Sequence, residues 1–76
     1  MVNKPLIHIN RRFKIPFDEI ICIKQRKRGV YVQFHDKKTK MTLYAIHKGN
    51  ATSLLNVLNT TRIMRGMNPM ELVVEE

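Results

Sequence analysis

The sequence predicts a small α+β domain, an antiparallel sheet of three to four strands packed by one C-terminal helix. Three observations carry this. Over the first 48 residues, β-branched and aromatic side chains recur with period two, and polar, mostly basic stretches separate them. Past Asn50 the period changes, and Ala51, Leu54, Leu55 and Leu58 take the i, i+3, i+4, i+7 spacing of one helix face. Length does the rest: 76 residues with 43% apolar content suffice for one thin core and no second domain. Residues 1–66 read as one basic domain, and residues 67–76 as a tail or short edge strand.

Leu6 to Ile9 is the first strand candidate, and Pro5 and Pro16 around it and the following stretch Arg11 to Ile15 suit an edge. A turn at Pro16 to Glu19 leads into Ile20-Ile21-Cys22-Ile23, an apolar run expected to be buried on both faces. Lys24-Gln25-Arg26-Lys27-Arg28-Gly29 reads as a connection. Beyond it Val30, Val32 and Phe34 alternate with Tyr31, Gln33 and His35, the pattern of a half-solvated strand. Asp36 to Lys40 reads as a hairpin loop, and Met41, Leu43 and Ala45 then oppose Thr42, Tyr44 and Ile46 in the next strand. Asn50 or Thr52 can cap the helix, which ends near Asn59 or runs to Arg65 with Gly66 as its stop, and Asn68-Pro69 blocks continuation. Met70 to Val74 is left open as an edge strand, a docking tail or a disordered end.

Fourteen Lys and Arg face six Asp and Glu, a formal charge of +8. Glu71, Glu75 and Glu76 hold half the acid, so residues 1–70 carry fourteen cations against three acids, or +11. Such a field favours polyanions, which makes nucleic acid the first partner and an acidic protein the second; within nucleic acid, DNA is expected ahead of RNA. The single cysteine, Cys22, excludes an internal disulfide framework and fits a cytoplasmic setting. No stretch approaches the ~20 apolar residues of a membrane span, so no membrane partner is expected.

Little enzyme chemistry is on offer, and the reading is non-enzymatic. Asp18 and Glu19 are the one close carboxylate pair and would point to opposite faces if extended. His8, His35 and His47 show no metal-ligand spacing, and Gly29, Gly49 and Gly66 stand singly rather than in a phosphate-binding motif, so no metal and no cofactor is expected. Cys22 lies in an apolar run and reads as a small buried hydrophobe.

The cations are more informative because they cluster at turns: Arg11, Arg12 and Lys14; Lys24, Arg26, Lys27 and Arg28; Lys37, Lys38 and Lys40. The second and third clusters fall at opposite ends of strand 30–35, and Tyr31 and Tyr44 share a face with Gln33, His35 and Thr42. Rings interleaved with cations suit stacking on bases and pairing with phosphates. The candidate nucleic-acid-binding residues are therefore Arg11, Arg12, Lys24, Arg26, Lys27, Arg28, Tyr31, Lys37, Lys38, Lys40 and Tyr44. The alternative is a small adaptor or inhibitor, of a size typical of phage products, that docks on an acidic surface of a larger protein such as transcription machinery. It would use the same cations together with a Met-rich patch of Met64, Met67 and Met70 beside Val57, Ile63 and Leu72 to Val74. That patch can equally be a flap over the core or the contact of a homodimer.

The stretch Leu6 to Lys24 (LIHINRRFKIPFDEIICIK), followed by Gly29 to His35, Met41 to Ile46 and a Leu-rich helix, resembles over residues 6–58 the N-terminal half of LytTR-type DNA-binding domains of bacterial regulators. Asp18-Glu19-Ile20-Ile21 stands where those domains turn into their second strand. The resemblance implies a sheet-plus-helix transcription regulator of bacterial or phage type. The family's later Arg-x-His-Ser pattern has no counterpart here, since Thr61 to Arg65 follows the helix, and none of its later contact residues is carried over.

Overall fold

A computed structural model describes residues 4–75, so Glu76 of the acidic group lies outside the described residues. The fold is α+β, with a two-stranded sheet, a four-stranded sheet and one helix. β1 (Leu6–His8) and β2 (Lys14–Pro16) form an antiparallel hairpin, and a short 3-10 turn (Phe17–Glu19) leads into β3 (Ile20–Arg26). β3, β4 (Gly29–Asp36) and β5 (Met41–His47) make an antiparallel meander, α1 (Ala51–Met64) follows, and β6 (Leu72–Val74) returns parallel to β3. The order across the larger sheet is β5-β4-β3-β6. Its fourth strand is thus β6, while the stretch from Leu6 pairs outside it. Among the described residues no helix is long and apolar enough to cross a membrane.

One face of the large sheet makes the core. Ile23, Val32, Phe34 and Ala45 pack with Leu54 and Leu58 of α1 and with Ile7, Ile9, Ile15 and Phe17 of the hairpin and turn. Burying an aliphatic or aromatic side chain contributes about 1.5–3 kcal/mol, and these residues cover one face only. The run 20–23 departs from double-sided burial. The pairing of β3 with β4 shifts register between Ile20 and Cys22, so Ile20 and Ile23 both reach the core while Ile21 stays 46% exposed. The strand also runs on through Lys24 and Arg26, residues expected in a connection; it pairs with β4 on one side and β6 on the other, leaving only Lys27 and Arg28 to turn.

The helix boundaries have local causes. Asn50 Oδ1 accepts the N–H groups of Thr52 (2.8 Å) and Ser53 (3.3 Å), satisfying two donors of the first turn. At the other end Met67 N–H donates to Arg62 C=O (2.9 Å) and Gly66 N–H to Ile63 C=O (3.0 Å), the pairing of a Schellman stop. Gly66 sits at φ +77°, where a side chain would be strained. Of the Met-rich residues, Met67, Met70 and Leu72 pack on the core, whereas Val57, Ile63 and Met64 remain exposed.

Candidate nucleic-acid interface

The face of the large sheet opposite the helix is uncovered. The register places Lys24, Tyr31 and Ile46 in one row across β3, β4 and β5, and Cys22, Gln33 and Tyr44 in the next, with His35 beside Thr42 further on. Tyr31 and Tyr44 therefore share this face, and α1 does not cover them. Tyr44 is 48% exposed. Arg26 lies over the Tyr31 ring at 5.4 Å from its centroid, and Lys24 over the Tyr44 ring at 5.9 Å, distances at which ring and cation attract. Four of the expected site residues thus form two cation–ring pairs on one flat surface.

Lys27 and Arg28 extend this surface at the β3–β4 turn, where Arg26, Lys27, Arg28 and Tyr31 line a shallow depression of ≈ 440 Å³ with Glu75. The Glu75 carboxylate accepts from Arg26 Nε at 2.8 Å and pairs with Lys24 Nζ at 3.3 Å. The Arg26 hydrogen bond first, and the Lys24 bond after it, hold this carboxyl below the usual glutamate range. Glu75 is placed by β6, whose next residue it is: its N–H donates to Gln25 C=O at 2.8 Å. Nothing in the local sequence around residue 24 signals this partner, which is 49 positions from Arg26.

The other two clusters go elsewhere. Lys37, Lys38 and Lys40 occupy the β4–β5 turn at the far end of β4, shaped by Asp36, whose carboxylate accepts from Lys38 N–H (3.2 Å) and Thr39 Oγ1 (2.9 Å). Thr39 chiefly, then the Lys38 N–H, keep the Asp36 carboxyl low. Lys37 acts on Asp18, whose carboxyl is depressed first by the hydrogen bond from Lys4 (2.7 Å). Asp36 thus shapes the turn through a backbone N–H and a hydroxyl, and the three lysine side chains stay outside its hydrogen bonds.

Arg11 and Arg12 stand on the β1–β2 turn and meet a cation that clustering in the sequence did not single out, Lys48. The three line a groove of ≈ 710 Å³ together with Ile9, Asn10, Ile46, His47 and Gly49. Ile46 shares its row with Tyr31 and Lys24, so this groove opens at the same end of the sheet as the β3–β4 turn. Cys22 is half-buried and its Sγ lies 3.2 Å from Gln33 Oε1, and among the described residues no group of three potential metal ligands gathers.

Comparison with protein-family models, with curated proteins and with solved structures finds no match to this chain.

Proposed function

We propose that this domain is a non-enzymatic regulator, acting in the cytoplasm, that binds nucleic acid with unpaired bases on the open sheet face. The observation that carries the reading is the pair of cation–ring contacts, Arg26 on Tyr31 and Lys24 on Tyr44, which put a stacking surface and a phosphate partner within 6 Å of each other twice over. Lys27 and Arg28 supply further charge at the sheet end, and Lys37, Lys38 and Lys40 at the other. DNA is proposed ahead of RNA on the pattern that residues 6–58 share with LytTR-type domains. Binding of a single-stranded oligonucleotide, titrated against salt, tests it. The expected logarithmic slope is about −0.7 per phosphate neutralised. Tyr31→Ala and Tyr44→Ala should each cost about 1–3 kcal/mol of affinity and leave that slope unchanged. No binding at low salt, or a slope near zero, overturns the reading.

A second reading, an adaptor that docks on an acidic protein, draws on the Glu75 contact: Lys24 and Arg26 already hold a carboxylate on this face, beside the exposed apolar side chains Ile46 and Val73. Capture of partners from nuclease-treated cytosol separates the two. Partners that survive nuclease favour the adaptor, and their loss favours nucleic acid.

A further inference from the structure

The groove between the β1–β2 turn and the β5–α1 loop is built, and its charge is unanswered. Asn10 ties the turn to the sheet: Nδ2 donates to Ile46 C=O at 2.7 Å, while Oδ1 accepts the N–H groups of Arg12 (2.8 Å) and Phe13 (2.9 Å). His47 makes a second tie, its Nδ1 lying 2.8 Å from Ile9 C=O; a carbonyl only accepts, so Nδ1 carries the proton. Gly49 lets the loop pass close over that ring, where a Cβ would meet Nε2 at 2.7 Å. Two cross-links between residues 9–10 and 46–47 therefore hold Arg11 and Arg12 beside Lys48.

Among the described residues none of these three cations has an ion-pair partner, and no carboxylate lines the groove. The contrast is with Lys24 and Arg26, which share the single carboxylate of Glu75. Three like charges gathered around one concavity repel each other, and an anion seated among them relieves that repulsion. Ile9 and Ile46 add apolar lining, and the ≈ 710 Å³ of the groove lies in the ordinary range of ligand sites.

We propose that this groove is a phosphate-binding site, in which Arg11, Arg12 and Lys48 hold one phosphate group. Resting on the nucleic-acid reading, that group belongs to a strand whose neighbouring bases lie on Tyr31 and Tyr44. The Ile46 side chain, exposed where groove and open face meet, then packs against the sugar. The site is separate from the Glu75 contact and needs nothing displaced.

The test is an NMR titration of the full chain with inorganic phosphate at constant ionic strength, with chloride as the control anion. Saturable shifts are expected at the Asn10 side-chain amide and at the His47, Lys48 and Gly49 amides. Lys48→Ala and Arg12→Ala should each weaken them about tenfold, the scale of one charge-assisted hydrogen bond, and Lys48→Arg should retain them. Shifts that chloride reproduces, or that centre on Lys24 and Arg26 instead, overturn the site. A parallel oligonucleotide titration keeps the two ideas apart: strand binding without phosphate shifts in the groove sinks the groove alone. Phosphate shifts without strand binding uphold the groove as an anion site and sink the strand's place in it.

Discussion

Asn59 grips the backbone of Met70 with both ends of its side-chain amide. Nδ2 donates to the Met70 carbonyl at 2.9 Å, and Oδ1 accepts the Met70 N–H at 2.7 Å. One side chain thereby imitates a strand's pairing pattern. It aims the chain, just released from the Schellman stop, into β6, and Arg62 Nε adds a bond to the Asn68 carbonyl at 2.8 Å.

Asn59→Ala should therefore cost about 1–3 kcal/mol, because two partly buried partners are stranded at once. Urea denaturation measures the loss. Hydrogen exchange should show the amides of residues 70–75 unprotected while those of β4 stay slow. Uniform loss of protection would contradict this role for Asn59.

Glu75 competes with any external anion for Lys24 and Arg26. Glu75→Gln should raise oligonucleotide affinity by up to about fivefold, the scale of a solvent-exposed ion pair. The variant should also steepen the salt dependence, since two more cations become available. Unchanged affinity would show that ligands avoid this part of the sheet.

Acid should weaken the fold in stages. Asp18, Asp36 and Glu75 all have carboxyls held below their ordinary range, by Lys4, Thr39 and Arg26 respectively. A depressed folded-state pKa contributes stability that is fully present above the unfolded value and is lost as pH falls through the folded one. Melting temperature should thus stay level above the usual carboxylate range, about pH 4–5, and decline below it. A melting temperature that rises on acidification would reverse the sign and the argument.

Lys40 stands at φ +60°, in the left-handed region, at the end of the β4–β5 turn. A side chain there costs about 1–2 kcal/mol, and glycine forfeits about 0.5–1 kcal/mol of that gain in chain entropy. Lys40→Gly or Lys40→Asn should stabilise the domain by about 0.5–1 kcal/mol in chemical denaturation, whereas Lys38→Asn should not.

Much of the architecture was legible because local chemistry and tertiary placement agree. Val30, Val32 and Phe34 alternate and are buried; Asn50 caps; Gly66 stops the helix. Two features escaped for physical reasons, and a third, the terminal edge strand, stood only as one of several alternatives. The bulge at Ile21 leaves no mark in an all-apolar run, where either face looks equally buried. Lys24 and Arg26 are strand residues facing solvent, and their composition is the same as that of a turn. β6 depends on pairing with a strand 49 residues away, and on an Asn59 clamp whose two bonds to the Met70 backbone follow no periodic pattern of apolar residues. Of the candidate site, the two tyrosines were legible from alternation alone. Lys48 was not, because it joins Arg11 and Arg12 only through the ties made by Asn10 and His47.

β5 is a sheet edge whose outer side, among the described residues, is met at Ile46 by the Asn10 side chain. Such an edge is a template on which a strand of another copy can add, the first step of fibrous aggregation. Lys40 and Lys48 flank it at its two ends, so a second copy laid antiparallel would bring lysine against lysine. Lys40 and Lys48 thus oppose edge-to-edge pairing of copies by like charge, a repulsion that concentrated salt should screen.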